Sequence, residues 1–488
     1  MALINVYSVD ETFVRIECDA PYLLELKEHF SFYAKGYNFH PRFKMGLWNG
    51  RVSLLNVKER TLYKGLLPDF ATWADHNGYS YELSDKVVAN LSDWNITDEK
   101  VIEFYRKIQG PFAPHDQQVA AVKHCINSGR SIILAPTSSG KSYIIHGITS
   151  FYGLQKKRTL VIIDRSQLIE QLRENLRDEY NGPLRYATVY DKKVDPRDVD
   201  VYFTTWQSCY ENPKKWFENF DVLIGDEVHK FKAASLKAIM DKCGHIAIRH
   251  GFTATLDNDS QTDRLTLKGM FGTPYRVATL KELIEQGIVA RPTVYAIRLI
   301  HPDEDKKKLA NAKYKDGTEK YQKEIEFLED NEVRNRFISD LDKKLKGNTL
   351  IVFKHQEHGK KLVELVGDRA FYVDGTVALD TRIEYSKLID QMHDATAVVS
   401  TGTFSTGVNI KNINQMILGC DVQSKITVPQ ILGRGLRKSE RKDTLRFFDL
   451  GDDMVWQGRE NISFKHFKER LEMYAELGVE IVLKTHRL

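Results

Sequence analysis

The sequence is poor in cysteine and proline and has no long hydrophobic run. Only five of its 488 residues are cysteine and 13 are proline. The cysteines are dispersed, odd in number and without a CxxC pair, which argues against a disulfide framework or a zinc site and favours a reducing cytoplasm. Apolar runs such as Leu160–Ile163 are far shorter than the ~20 residues of a membrane-spanning helix. No basic flank precedes the first apolar residues, so we expect no secretory signal.

An excess of charge of one sign is also missing. The chain has 71 lysines and arginines against 67 acidic residues, a formal net charge of +4. Any nucleic-acid surface must therefore come from local clustering. The hydrophobic share of 42% and the charged share of 28% are typical of a globular protein and exclude a disordered or collagen-like chain. The length predicts about three domains.

The hydrophobic pattern predicts an α/β protein with a small α+β region in front. Two series of short apolar runs separated by helical segments begin near Asp116 and near Thr293, which is typical of two doubly wound parallel sheets. We expect five parts: residues 1–85, a linker or bridging helix at 86–111, residues 112–290, residues 291–455 and a C-terminal helical extension at 456–488. Each sheet should bury its own core, so we expect the doubly wound halves to fold without residues 1–85.

A phosphate-binding loop is predicted after the first apolar run. Ala135-Pro136-Thr137-Ser138-Ser139-Gly140-Lys141-Ser142 follows a predicted strand and opens a predicted helix, which is the context of a P-loop. The backbone N–H groups of such a loop and the positive end of the helix dipole favour phosphate oxygens. Lys141 would add a charge at the β- and γ-phosphates, and the Ser142 hydroxyl would bind Mg²⁺. Ala135 departs from the pattern, which usually begins with glycine.

Two adjacent carboxylates follow the apolar run Val222–Ile224. Asp226 and Glu227 come at the carboxyl end of a predicted strand, where open α/β sheets bind ligands. Acidic residues at a buried strand end are costly unless a cation or a reacting water needs them. Asp226 is suited to hold Mg²⁺ through water, and Glu227 to orient and deprotonate the attacking water.

A third pattern, Gln430-Ile431-Leu432-Gly433-Arg434-Gly435-Leu436-Arg437, lies in the second series. Its spacing predicts that Gln430, Arg434 and Arg437 share one helix face, at i, i+4 and i+7. We expect the two arginines to reach a γ-phosphate bound by the preceding domain, as arginine fingers do.

Together these segments resemble superfamily 2 helicases and translocases over residues 112–450. Asp226–His229 is similar to their DExH box, the Lys141 loop to motif I and residues 430–437 to motif VI. The resemblance implies two RecA-like domains, with catalytic roles for Lys141, Glu227, Gln430, Arg434 and Arg437. It also implies adenine recognition by Gln118, a nucleotide contact at Gly407, coupling of hydrolysis to movement by His229, Thr253 and Thr255, and DNA contacts at Arg165, Ser166, Thr205, Trp206, Lys354 and Thr406.

The N-terminal region resembles the small N-terminal domain of bacteriophage UvsW-type helicases. The similarity lies in Phe30–Phe43 and in Trp48-Asn49-Gly50-Arg51. Basic residues interleave with aromatic ones across Lys27–Leu67, a composition that suits phosphates and exposed bases, although the same rings can form the core of a small domain. The DNA contacts expected here are Arg42, Lys44, Trp48 and Arg51.

The resemblance implies an ATP-dependent DNA helicase or translocase that unwinds or branch-migrates forks, Holliday junctions and R-loops in phage recombination, repair and replication. It implies ATP and Mg²⁺ as cofactors and branched or duplex DNA, including RNA–DNA hybrids, as partners. We expect a monomer in the host cytoplasm, away from membranes, with replication or recombination proteins as further partners. Two alternatives stay open: an RNA helicase, and the motor subunit of a restriction-type complex, for which we find no PD…ExK nuclease signature. The intact Lys141, Asp226, Glu227, Arg434 and Arg437 argue against a non-hydrolysing binding module.

Overall fold

The computed structural model describes residues 3–88, 94–191, 194–231, 233–256, 260–312, 315–404, 410–423, 427–439 and 441–488. The chain divides into two compact units. The first comprises Met1–Pro136 and Gly140–Ala278, and the second comprises Thr137–Ser139 and Thr279–Leu488.

The first unit begins with an α+β domain. Its elements are β1 (Leu3–Ser8), β2 (Phe13–Glu17), α1 (Ala20–His29), β3 (Ser31–Tyr33), α2 (Pro41–Lys44), β4 (Arg51–Ser53), β5 (Thr61–Tyr63), α3 (Leu67–His76), β6 (Ser80–Leu83) and α4 (Asp85–Val88). Four strands form a sheet in the order β5-β2-β1-β6, and β3 pairs with β4 in a separate antiparallel ribbon. Ile4, Val6, Val14 and Ile16 are fully buried, because alternate side chains of a strand face the same side.

A seven-stranded parallel sheet completes the first unit, in the order β13-β7-β12-β11-β8-β10-β9. Its strands are apolar runs because helices cover both faces. The elements are α5 (Asp98–Lys107), α6 (Asp116–Ser128), β7 (Arg130–Leu134), α7 (Lys141–Gly153), β8 (Thr159–Ile163), α8 (Ser166–Glu174), β9 (Tyr186–Thr188), β10 (Val201–Thr205), α9 (Trp206–Tyr210), α10 (Lys214–Phe217), β11 (Val222–Asp226), α11 (Ala233–Lys242), β12 (Ile248–Thr253), α12 (Gln261–Phe271) and β13 (Pro274–Arg276).

One strand of this sheet starts later than its apolar sequence would place it. Residues 246–248 are all apolar, but β12 starts only at Ile248. Its next residues, Arg249 and His250, are fully buried in spite of their polarity. The Arg249 guanidinium donates to the carbonyl oxygens of Ile246 and Cys243 at 2.7 and 2.8 Å. These bonds satisfy the charged group inside the core, which hydropathy cannot anticipate.

The second unit holds another seven-stranded parallel sheet, in the order β16-β17-β15-β18-β19-β14-β20. Its elements are α13 (Leu280–Glu285), β14 (Arg291–Ile300), α14 (Asp303–Asn311), α15 (Gly317–Asp330), α16 (Glu332–Lys344), β15 (Thr349–Phe353), α17 (Gln356–Val366), β16 (Ala370–Val373), α18 (Leu379–Gln391), β17 (Thr396–Ser400), α19 (Thr401–Phe404), β18 (Gln415–Leu418), α20 (Thr427–Gly435), β19 (Thr444–Asp453), α21 (Ile462–Glu476) and β20 (Glu480–Arg487).

The C-terminal segment is not the purely helical extension that the sequence predicted. After α21 the chain forms β20, which pairs in parallel with β14 from Thr293↔Glu480 to Ile300↔Arg487. The strand escaped the prediction because it is an edge strand with mostly exposed side chains and no continuous apolar run. Residues 456–488 therefore contribute to the second sheet.

The N-terminal domain and the first parallel sheet share one hydrophobic core. A single buried cluster contains Val6 and Leu66 together with Leu223 and Phe271. The Thr12 hydroxyl also donates to the Met240 carbonyl oxygen at 3.0 Å. The expectation that the first doubly wound half buries its core without residues 1–85 is wrong, since removing them would expose this shared apolar surface.

These elements confirm the predicted fold class: two RecA-like doubly wound domains preceded by a small α+β domain. Among the described residues, no helix is long and apolar enough to cross a membrane.

Candidate active site

The predicted phosphate loop joins β7 to α7. Gly140 has a left-handed φ of +79° and precedes the first turn of α7, and a Cβ there would collide with the Gln118 amide. Ser138 also has a positive φ, +69°. Ala135, at the position of the usual first glycine, is buried and donates its N–H to the Thr253 carbonyl oxygen at 2.9 Å. The loop is thereby fixed to the end of β12, and the first N–H groups of α7 are of the kind that bind anions.

Lys141 carries the central charge of this site. Its ammonium lies 3.1 Å from the Asp226 carboxylate and also pairs with Glu227, and the three side chains are only 15–18% exposed. Burial alone would lower the pKa of Lys141, but the two carboxylates raise it above its ordinary value. Burial and the charge of Glu227 raise the pKa of Asp226, whereas for Glu227 the ammonium outweighs burial and lowers the pKa to about 2. A cation and an ionised carboxylate are thus held together where a phosphate could compete for the cation.

The backbone is strained at Glu227. β11 ends at Asp226, and Glu227 adopts a left-handed φ of +53° before the short 3₁₀ turn Val228–Lys230. A non-glycine residue pays about 1–2 kcal/mol for this conformation. Such strain persists where the surroundings enforce it, and it clusters at functional sites. Here it lets two consecutive carboxylates face the same lysine.

A polar chain leads from Glu227 to β12. His229 Nδ1 lies 3.4 Å from the Glu227 carboxylate and 2.7 Å from the Thr253 hydroxyl, which donates its own proton to the Thr255 carbonyl oxygen at 2.7 Å. Because the hydroxyl has one proton, His229 must donate through Nδ1. Burial lowers the pKa of His229, so the ring is neutral near pH 7. Thr253 is therefore in direct contact with both other predicted coupling residues, His229 and Thr255.

The residues predicted to hold Mg²⁺ offer hard oxygen donors, which that cation prefers. Asp226 lies beside the loop, and the Ser142 hydroxyl is within 2.9 Å of the Tyr180 hydroxyl. The sequence did not indicate that Tyr180 lies at this site, because it is 38 residues from Ser142 in the chain. Nor did it indicate that the half-exposed Phe112 lies close to α7, where its ring is 4.8 Å from that of Tyr143. The other predicted loop residues are the half-buried Pro136 and Thr137 and the buried Ser139.

The predicted DNA contacts of the first unit fall into two groups. Arg165 and Ser166 are exposed where β8 gives way to α8. Thr205 is buried, and its hydroxyl accepts from the Ser208 N–H at 3.2 Å to cap α9. Trp206 is partly buried in the first turn of α9. Arg165 pairs with Asp164 at 3.4 Å but stays exposed together with Ser166, whereas Thr205 already serves the fold.

Motif VI departs from the predicted helix face. α20 ends at Gly435, so Arg437 lies beyond the helix that carries Gln430 and Arg434. The predicted i, i+4, i+7 arrangement is wrong for Arg437, and packing explains why. A Cβ on Gly435 would collide with Met416, and the Gly435 carbonyl oxygen accepts from the buried Lys442 ammonium instead of continuing the helix.

The remaining predicted residues of the second unit lie near its strand ends. Lys354 is exposed directly after β15. Arg434 is half-buried, with its guanidinium carbon 5.9 Å from the centroid of the Phe404 ring. Thr406 and Gly407 lie outside the described residues.

In the N-terminal domain, two of the four predicted DNA contacts are tied into the fold. The Arg51 guanidinium pairs with Glu28 and donates to the Ser31 carbonyl oxygen at 2.7 Å. Trp48 is half-buried and donates its indole N–H to the Arg51 carbonyl oxygen at 2.8 Å. Arg42 and Lys44 are exposed. Together with β3 and β4, the segment between them forms the N-terminal ribbon, which also exposes the apolar side chains of Phe39 at 74%, Met45 at 63% and Leu47 at 66%.

A P-loop lysine held by adjacent carboxylates, in the first of two RecA-like sheets, defines a nucleoside triphosphatase of helicase superfamily 2. Comparisons with known proteins agree. A family model described as "DNA helicase UvsW, N-terminal" matches residues 3–84, and one described as "Type III restriction enzyme, res subunit" matches residues 111–258.

One curated relative matches nearly the whole chain. It is 30% identical to the ATP-dependent DNA helicase uvsW of Enterobacteria phage T4, over 99% of this chain and 100% of that protein. The crystal structure of T4 UvsW matches with a TM-score of 0.51 and 29% identity over 99% of each chain. The type I restriction enzyme EcoAI endonuclease subunit of Escherichia coli is 24% identical over 69% of this chain and 45% of that protein. The chain belongs to the UvsW family of DNA helicases.

Proposed function

We propose that this ATP-dependent DNA helicase acts on branched DNA, unwinding forks and migrating four-way junctions during phage recombination, repair and replication. As a member of a DNA-helicase family, the chain uses a nucleotide and binds DNA. The observation that carries the proposal is the pairing of Lys141 with Asp226 and Glu227 in a chain whose N-terminal domain is of the UvsW type. One chain then carries both the residues suited to ATP hydrolysis and a candidate DNA-binding domain.

The residues around the loop have the properties that phosphoryl transfer needs. ATP supplies the phosphoanhydride bond whose hydrolysis releases free energy, and Mg²⁺ neutralises phosphate charge. We expect the Lys141 ammonium to exchange its carboxylate partners for phosphate oxygens, which leaves Glu227 free to accept the proton of the attacking water. Asp226 and Ser142 would hold Mg²⁺. The neutral His229, which contacts both Glu227 and Thr253, would transmit a movement of the Glu227 side chain to β12.

The DNA contacts we propose in the first unit are the exposed ones. Arg165 and Ser166 would meet the strand on the first parallel sheet, and Arg42 and Lys44 would meet phosphates at the N-terminal ribbon. The exposed Phe39 suits contact with unpaired bases, because aromatic rings stack on bases of any sequence. In the second unit we propose Lys354 and Thr406 as DNA contacts, and Gly407 as a nucleotide contact alongside Gln118, Gln430, Arg434 and Arg437.

We also propose the domain division in functional terms. Residues 1–85 form the DNA-binding domain, 86–111 the linker, 112–290 the ATP-binding RecA-like domain and 291–455 the second RecA-like domain, whose sheet is extended by β20 of residues 456–488. The family matches at 3–84 and 111–258 support the first boundaries. We infer that the protein works as a monomer in the host cytoplasm, where its DNA substrates are, and that RNA–DNA hybrids and replication or recombination proteins are further partners.

The test is ATP hydrolysis by the full chain on single-stranded, duplex, forked and four-way DNA, with matched RNA. We expect forked and four-way DNA to stimulate turnover more than linear duplex does, and RNA to stimulate it least. Equal stimulation by RNA would favour the RNA-helicase alternative. Equal stimulation by linear and branched DNA would show that branch specificity is absent.

The contribution of the N-terminal ribbon is tested by Arg42→Ala together with Lys44→Ala. We expect weaker binding to forked DNA and a log–log salt slope reduced by roughly 1.4–1.8, since each lost phosphate contact contributes about 0.7–0.9. Arg185→Ala with Arg197→Ala is the matched control, because both side chains are 67% exposed and already paired with Asp200 and Asp195. The ribbon is excluded as a phosphate contact if the two double variants bind forks alike.

A further inference from the structure

Three lysines at the carboxyl edge of the second sheet lie over aromatic rings. The Lys307 ammonium is 5.1 Å from the centroid of the Trp456 ring, Lys308 is 5.8 Å from that of Phe327, and Lys354 is 5.5 Å from that of Tyr321. Only Lys354 belongs to a helicase motif. We call this set of three lysines and three rings the lysine–ring surface.

The members of the lysine–ring surface are neighbours in the fold. Lys307 and Lys308 lie on α14, which follows β14, Trp456 comes shortly after β19, and Lys354 directly follows β15. The carboxyl ends of parallel strands meet at the same edge of a sheet. From β15 to β14 the order is β15-β18-β19-β14, three strand spacings or about 14 Å. That length corresponds to roughly four base pairs along a duplex.

Side-chain packing connects α15 with α14 and with the loops after β18 and β19. Leu309 of α14, Leu328 of α15 and Met454 after β19 form one buried cluster, and Phe327 packs against it. Tyr321 lies on the same helix as Phe327 and fixes its hydroxyl on Asp421, which follows β18, at 2.9 Å. Phe327 is therefore held by the buried cluster and Tyr321 by its bond to Asp421, so two of the three rings under the lysines are fixed.

The lysines of this surface differ from their neighbours in charge pairing. Lys306 pairs with Asp303 at 3.2 Å, and Lys323 pairs with Glu326 at 2.7 Å. Within the described parts of the chain, Lys307, Lys308 and Lys354 form no ion pair. A carboxylate cancels the charge of a lysine, whereas a ring face attracts the ammonium without cancelling it and leaves N–H donors for another ligand.

Carboxylates also lie near these lysines. Glu304 is exposed and lies three and four residues before Lys307 and Lys308, so it shares their face of α14. Asp305, three residues before Lys308, accepts from the Asn331 amide at 3.4 Å, and Glu329, which pairs with His355, interacts with the charge of Lys354. Substitution of the exposed Glu304 and of the lysines therefore tests the surface in opposite directions.

We propose that the lysine–ring surface binds the sugar–phosphate backbone of the DNA on which the second unit acts. Lysine ammonium groups serve as compact point charges for phosphate, and the rings restrict their motion. The inference rests on the proposed function, since it names a further contact of the same substrate. It adds α14 and the loop after β19 to the DNA contacts of the helicase motifs.

The test measures binding of forked DNA by the full chain without nucleotide, over a range of salt concentrations. Lys307→Ala with Lys308→Ala should weaken binding and lower the log–log salt slope by roughly 1.4–1.8. Lys323→Ala with Lys360→Ala removes the same charge from exposed lysines paired with Glu326 and Glu357, and should leave the slope unchanged. Parental affinity and slope in the first double variant, or equal losses in both, would overturn the proposal.

Two further variants keep the proposal testable if the alanine double variant folds poorly. Lys307→Arg with Lys308→Arg keeps both charges and should retain the parental slope, because arginine also stacks on rings. Glu304→Gln should tighten binding, and unchanged or weaker binding would count against the surface. All of these are binding measurements without nucleotide, so their failure is distinguishable from failure of the proposed helicase function, which is read from ATP turnover on branched DNA.

Discussion

The carboxyl edges of the two parallel sheets both bury charged groups, but they hold them differently. In the first sheet Lys141 pairs with Asp226 and Glu227, and these side chains keep 15–18% of their surface. In the second sheet Arg470 makes two bonds to Asp449, at 2.8 and 2.7 Å, with both side chains at most 3% exposed. The same topology thus supports an open cluster of charge, formed by Lys141, Asp226 and Glu227, and a closed cluster, formed by Arg470 and Asp449.

The chemistry of the cation explains this difference. A lysine is a point charge that can exchange one anion for another, whereas an arginine fork on a carboxylate has its donors saturated in a fixed geometry. Arg470 also donates to Asp421 at 2.9 Å, and the Tyr474 hydroxyl donates to Asp449 at 2.9 Å. Burial of charge alone therefore does not mark a catalytic site. We propose that a single exchangeable cation beside a strained carboxylate does mark such a site.

The largest effect is expected at the open cluster. Glu227→Gln should retain ATP binding but lower turnover by about 10²–10⁴, because it removes the general base and preserves the shape of the side chain. Lys141→Ala should also weaken nucleotide binding. Steady-state hydrolysis and equilibrium nucleotide binding measure the two effects. Near-normal turnover in the Glu227 variant would contradict the assignment of the open cluster as the reaction site.

The closed cluster should respond in stability. Arg470→Ala leaves Asp449 buried without its partner, and breaking a buried pair in this way costs about 3–5 kcal/mol. Urea unfolding monitored by circular dichroism measures the loss of free energy of unfolding. Arg177→Ala is the control, because that side chain is 47% exposed and pairs with the exposed Asp178. A loss as small as that of the control would mean that the closed cluster contributes little to the fold.

A third effect sharpens the comparison within the second unit, where Arg470 serves the structure and we propose that Arg434 and Arg437 serve catalysis. Arg434→Ala and Arg437→Ala should each lower turnover at least about tenfold with little change in nucleotide affinity, as expected of groups that act mainly in the transition state. Lys438→Ala, an exposed neighbour, is the control. Parental hydrolysis in both arginine variants would remove them from the catalytic machinery.

The smallest effect concerns Lys442, a buried lysine without the exchangeable role of Lys141. Burial, with a smaller contribution from Arg437, lowers its pKa to about 7. Above that pH the unfolded chain binds more protons than the folded one, so the free energy of unfolding should rise with pH, by up to about 1.4 kcal/mol per pH unit. Lys442→Met should reduce this slope between about pH 7.5 and pH 9 in denaturant titrations. Parallel curves for parent and variant would show that Lys442 keeps an ordinary pKa.

Local sequence predicted the parts of the site that depend on neighbouring residues. The P-loop lies between a strand and a helix only a few residues apart, so its position and that of Lys141 follow from a short segment. Asp226 and Glu227 are adjacent and end a strand for the same reason. The resemblance assigned His229 and Thr253 to coupling, but their contact across 24 residues and its proton direction, which depends on the bond from Thr253 to Thr255, were not predicted.

Other roles depended on residues that the fold brings from far away. Arg51 had the composition of a DNA contact, but α1 places Glu28 beside it, 23 residues earlier in the chain. Arg437 fitted a helical spacing, but the helix ends where Gly435 packs on Met416 and meets Lys442. Hydrophobic pattern gave no sign that the N-terminal domain shares its core with the first sheet.

The sequence by itself determined the alternation of strands and helices in the two doubly wound halves, and the lysine and carboxylates of the candidate nucleotide site. Each of these depends on the chemistry and spacing of residues close in the chain. Only the tertiary structure decided which buried charges are open and which are closed, where motif VI leaves its helix, and which basic residues remain exposed. Those properties depend on which distant side chain supplies the opposite charge or the covering surface, and only folding brings those partners together.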